Sequence, residues 1–70
     1  MAHEDIYEEF CKWSPEHAKM VKGYAPWGST SIVIWLNSGM MYKVKRHGEG
    51  KFVMQTVTKA DVDKKFGKGE

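Results

Sequence analysis

The stretch Ser31-Ile32-Val33-Ile34-Trp35-Leu36-Asn37-Ser38-Gly39-Met40-Met41-Tyr42-Lys43-Val44-Lys45-Arg46-His47-Gly48-Glu49-Gly50-Lys51-Phe52-Val53-Met54-Gln55-Thr56-Val57 decides the fold. Two glycine-ended triplets, Asn37-Ser38-Gly39 and Gly48-Glu49-Gly50, cut it into three runs rich in β-branched and aromatic residues. Glycine reaches positive φ without a Cβ clash, so each triplet suits a hairpin made of a type I turn followed by a left-handed residue. The stretch therefore reads as an antiparallel meander with strands over about 30–36, 40–47 and 51–57.

Turn length sets register. Three-residue turns pair Leu36 with Met40 and His47 with Lys51, which places Ile34 opposite Tyr42, Ile32 opposite Val44, Val44 opposite Met54 and Arg46 opposite Phe52. Alternation then gathers Ile32, Ile34, Leu36, Met40, Tyr42, Val44, Phe52 and Met54 on one face, which is the expected core. The other face carries Ser31, Val33, Trp35, Met41, Lys43, Lys45, Val53, Gln55 and Val57. It divides into a positive zone, with Lys43 and Lys45 beside Ser31 and Gln55, and an apolar zone of Trp35, Met41 and Val57.

Outward from the meander, the pattern turns helical. Ile6, Phe10 and Trp13 fall at i, i+4 and i+7 on a segment over about 3–13. Acids crowd its first turns, where the helix dipole favours negative charge. Ser14-Pro15 ends that helix and opens a second over about 15–22, with Ser as N-cap, Pro at the first helical position and Gly23 as the stop. Tyr24-Ala25-Pro26-Trp27-Gly28 reads as a loop. A third helix over about 59–66 opens at Thr58, with Asp61 three residues on as a variant capping box; Lys64 and Lys65 sit in its last turn and Gly67 follows. The expected fold is α+β, in the order α-α-β-β-β-α, with one small domain over 1–66 and a frayed tail over 67–70.

Seventy residues leave little room for a core, and stability on the order of 5 kcal/mol is expected. Three Trp, three Tyr, three Phe and five Met supply large side chains for it. The single cysteine, Cys11, forms no internal disulfide, which favours a reducing compartment. No run of apolar residues is long enough to span a membrane and no basic-then-apolar leader is seen, so a soluble, cytoplasmic protein with no membrane partner is expected.

Histidines His3, His17 and His47 with Cys11 follow no metal-ligand spacing, so no metal and no cofactor is expected. A nucleophilic Cys11 needs an orienting base that the sequence does not display, and the glycines around Glu49 lack the G-K-[ST] of a phosphate loop. The chain is expected not to be an enzyme.

Charge is unevenly spread over a net +2. Residues 1–16 hold five acids against Lys12, whereas residues 17–57 hold Lys19, Lys22, Lys43, Lys45, Arg46 and Lys51 against Glu49. The asymmetry suits either an anionic partner or an acidic helix that neutralises a basic sheet within the molecule. The leading expectation is a small non-catalytic module that binds DNA or RNA through Lys43, Lys45, Arg46 and Lys51, with Trp35 stacking on a base. The bland reading of the same lysines is that they keep a half-exposed strand soluble and blunt edge pairing. The alternative is an adaptor or regulator whose Trp35, Met41 and Val57 patch docks a protein partner. Cover of that patch by the first helix or the Tyr24–Trp27 loop is the favoured expectation, since the helix must bury its stripe.

The order helix, three strands, helix in about seventy residues resembles double-stranded-RNA-binding domains. The likeness is one of topology alone. It departs at Thr58-Lys59-Ala60-Asp61, where those domains open a long final helix with a basic cluster, and in the extra Ser14–Gly23 helix. Three-stranded sheets that read DNA from one face, as in the arm-binding domains of some integrases, are a comparable architecture.

Overall fold

A computed structural model describes residues 2–65. Its elements run α1 (His3–Trp13), α2 (Pro15–Ala18), β1 (Val21–Gly28), β2 (Ser31–Leu36), β3 (Met41–Gly48), β4 (Lys51–Thr56) and α3 (Lys59–Lys65). The four strands form an antiparallel sheet in the order β1-β2-β3-β4, so the fold is α+β with a meander. Phe66, Gly67 and the expected frayed tail lie outside the described residues.

One strand more than expected is present. The second helix stops at Ala18, and the chain from Val21 to Gly28 pairs with β2, with Tyr24 opposite Ile34 and Pro26 opposite Ile32. Gly23, Pro26 and Gly28 disguised this segment as helix stop and loop. An edge strand tolerates such residues, and register shifts at Lys22 and at Trp27 absorb the irregularity. Leu36 N–H donates to Met40 O, and Arg46 N–H donates to Thr30 O. Backbone groups alternate sides along a strand, so the even residues of β2 turn to β3 and the odd ones to β1. Pro26, opposite Ile32, therefore turns its donor-less nitrogen to the open edge, where no hydrogen bond is lost and further strand pairing is discouraged. The fourth strand also removes the likeness in element order to double-stranded-RNA-binding domains.

The expected register of the meander stands: Ile32 faces Val44, Ile34 faces Tyr42, Val44 faces Met54 and Arg46 faces Phe52. Gly39 (φ 95°) and Gly50 (φ 70°) occupy the left-handed position of each turn. The second turn differs in detail. Gly48 rather than His47 pairs with Lys51, and a bulge at His47 takes up the shift, so the residues beyond keep their faces.

Helix α1 lies on the apolar face of the sheet. Ile6 and Phe10 are completely buried with Ile32, Ile34 and Val44, and Leu36 and Phe52 complete the core. The Phe10 and Phe52 rings meet edge to face at 6.0 Å, and Tyr7 stacks on Tyr24 of β1 with centroids 4.2 Å apart. Burial, and then a hydrogen bond with Cys11, push the Tyr7 phenol above its ordinary pKa. Met40, expected in the core, is 45% exposed, because it sits beside Gly39 past the rim of the sheet. Trp13, the third member of the helical stripe, packs its ring on Phe52 at 5.4 Å yet stays largely exposed at the margin.

Candidate nucleic-acid interface

Since α1 occupies the Ile32–Val44 face, the opposite face of the sheet is not the one it covers. Three cross-strand rows build that second face. Ser31, Lys45 and Val53 form one; Ala25, Val33, Lys43 and Gln55 form the next; Gly23, Trp35 and Met41 form the third. Val57 joins the third row, for its N–H donates to Met41 O. The positive and apolar zones expected from alternation are thus both assembled.

The face is not uniformly wet. Val33 is completely buried at its centre and Ser31 is buried at one end, while Trp35, Met41, Lys43 and Val57 are half-buried. The stripe of α1 does not cover Trp35, since Ile6 and Phe10 spend their area on the other side. Lys45, Lys51, Val53 and Gln55 are exposed.

Not every basic residue of the β3–β4 hairpin belongs to this face. Arg46 stands opposite Phe52, on the side of α1, and its Nε donates to Glu9 Oε1 at 2.7 Å. Glu9 Oε2 accepts the Gly50 N–H at 2.6 Å, so one carboxylate clamps α1 to both the strand and the turn. The Arg46 hydrogen bond, followed by that of Gly50, holds the Glu9 carboxyl below the usual glutamate range. Of the sequence-derived candidates, Lys43, Lys45, Lys51 and Trp35 share the second face and Arg46 does not. The acidic helix does neutralise part of the basic sheet.

Other side chains complete the surface. An open cleft of about 560 Å³ lies where β3, β4 and α3 meet, lined by Trp27, Lys43, Gln55, Asp61, Lys64 and Lys65 among others. Lys65 Nζ stands 5.8 Å from the centroid of the Trp27 ring, a cation–π contact between α3 and the end of β1. Thr58 and Asp61 form the expected capping box, Thr58 N–H donating to Asp61 Oδ2 and Asp61 N–H to Thr58 Oγ1, both at 3.1 Å. These bonds from Thr58, the backbone one first, lower the Asp61 pKa. Trp27, Lys64 and Lys65 were absent from the sequence-derived site. The signal that would have found Trp27 is the Gly28-Ser29-Thr30-Ser31 turn, which closes a β1–β2 hairpin and sets Trp27 one residue before its end.

The histidines go elsewhere. His3 Nε2 hydrogen-bonds the Gly28 carbonyl at 2.5 Å and ties the start of α1 to β1. His17 shares a 2.6 Å hydrogen bond with Ser14 Oγ and sets its ring between Phe10 and Tyr42. His47 is the bulged, exposed residue of β3. Among the described residues no three His, Cys, Asp or Glu side chains gather in a way that holds a metal ion, and no helix is long and apolar enough to cross a membrane.

No family model, no curated protein and no solved structure matches this chain.

Proposed function

We propose that the protein is a small non-catalytic module that binds nucleic acid on the sheet face opposite α1. The observation that carries this reading is the gathering of Lys43, Lys45 and Lys51 on that face, with Lys64 and Lys65 of α3 beside it and no carboxylate on the sheet strands of that face to oppose them. Phosphates are met by lysines, and half-buried aromatic rings offer a surface for bases. Arg46 is outside the proposed contact set, because Glu9 already satisfies it. The test is fluorescence anisotropy of labelled DNA and RNA oligonucleotides at low salt. Binding that weakens steadily with added salt, and weakens further in Lys43→Glu/Lys45→Glu, supports the reading. Absence of binding to single-stranded and duplex forms of both overturns it.

A second reading, a protein-docking patch, draws support from the lateral contact of Trp35, Met41 and Val57, none of them fully buried. It requires an interaction that Trp35→Lys abolishes while Lys43→Glu/Lys45→Glu leaves it intact.

A further inference from the structure

The cleft between β3, β4 and α3 has a composition that a general electrostatic surface does not need. Three lysines, Lys43, Lys64 and Lys65, converge on it against one carboxylate, and that carboxylate, Asp61, is held by Thr58 N–H at the start of α3. Its wall includes the Trp27 ring, and Lys65 stands over that ring, so an aromatic face and an ammonium group share one rim. Gln55, exposed on β4, contributes a side-chain amide with both donors and an acceptor. The cleft, of about 560 Å³, is open to solvent, so a ligand lies along it with one side exposed rather than enclosed.

An aromatic face, an amide and clustered ammonium groups are the complement of a nucleotide: a flat base, its polar edge and its phosphate. The geometry points to this cleft as a subsite for one unpaired nucleotide of a single strand, with the phosphate among Lys43, Lys64 and Lys65, the base against Trp27 and its edge at Gln55. The inference rests on the nucleic-acid reading above and narrows it, because a base that remains in a duplex stack cannot lie on a protein ring. The arriving phosphate exchanges one partner of Lys65 for another. The ammonium turns from the ring to the stronger charge, and the base packs against the indole beside it. Asp61 keeps its place through its capping bonds and disfavours a second phosphate beside the first, which limits the cleft to one nucleotide unit.

The experiment compares unpaired oligothymidylate and oligouridylate with the same lengths of duplex DNA and RNA, by anisotropy at fixed low salt. It uses the wild type, Lys64→Ala/Lys65→Ala and Trp27→Leu. The lysine pair is exposed on a short helix outside the core, so its loss leaves the fold intact, and circular dichroism checks both variants. The expected result is single strands of either sugar binding about tenfold more tightly than duplexes, with that preference lost in both variants. Equal affinity for single strands and duplexes, or a full preference retained in Lys64→Ala/Lys65→Ala, overturns the cleft assignment while leaving the nucleic-acid reading in place. Failure of every oligonucleotide to bind the wild type overturns both. A single-strand preference shown by only one of the two homopolymers, and lost in both variants, supports the cleft and identifies which strand it accepts.

Discussion

Glu9 on α1 and Arg46 on β3, thirty-seven residues apart in the chain, meet at 2.7 Å and settle which cations of the hairpin are committed to the fold. The pair is partly exposed, with 24% of the Arg46 side chain and 20% of the Glu9 side chain accessible, so solvent screens it. Its significance is positional. The carboxylate also holds Gly50 N–H, and the two bonds register the helix against the turn that carries Lys51.

A pH dependence follows from the lowered Glu9 pKa. A carboxyl whose folded value lies below its unfolded one stabilises the fold above the unfolded value and loses that contribution as pH falls through the folded one. Urea denaturation should show Glu9→Gln less stable than the wild type near neutral pH. The difference should shrink toward zero as the pH drops below the usual glutamate range. A gap that persists at low pH would mean that Glu9 acts through packing rather than charge.

Truncation at the centre of the apolar face should be severe. Ile34 is completely buried among the core residues of β2, β3 and α1. Ile34→Ala should cost about 2–5 kcal/mol, and Ile34→Val only about 0.5–1.5 kcal/mol. Total stability for so short a chain is on the order of 5 kcal/mol, so the alanine variant should lose much of it, read by circular dichroism as a large drop in the urea midpoint, and the valine variant should lose little.

The turn into β2 tests the unforeseen first strand. A Cβ built on Gly28 would come within 2.8 Å of Ser31 Oγ, and Ser31 is buried. Gly28→Ala should therefore destabilise by about 1–3 kcal/mol. Ser31→Ala removes the obstructing oxygen, so the double variant should recover part of the loss, as a positive coupling in a double-mutant cycle. Additive losses would place the strain elsewhere.

How far the chain was legible depended on whether its signals were local. Strands β3 and β4 announce themselves through alternation and β2 through a run of β-branched and aromatic residues, with Gly39 and Gly50, both at positive φ, marking the turns between them. Arg46 was assigned opposite Phe52 by counting alone, which places it on the face of α1. Its engagement by Glu9 was not legible, because nothing in the spacing of residues 9 and 46 encodes how α1 docks. Strand β1 was hidden by Gly23, Pro26 and Gly28, which are breakers in the middle of a sheet and are accommodated at an edge. Missing β1 meant missing where Trp27 goes, and with it the cleft that Trp27 forms with Lys43 and with Lys65 at the far end of the chain.

The three tryptophans give the most direct test of the claim that the face opposite α1 binds nucleic acid. Trp27 and Trp35 lie on that side, while Trp13 packs against Phe10 and Phe52 on the α1 side. Each indole N–H gives its own signal in a heteronuclear NMR spectrum. Titration with a mixed-sequence oligonucleotide should shift the Trp27 and Trp35 signals in a saturable, salt-sensitive way and leave Trp13 in place. Movement of Trp13 alone, or of none of the three, would contradict the assignment of that face.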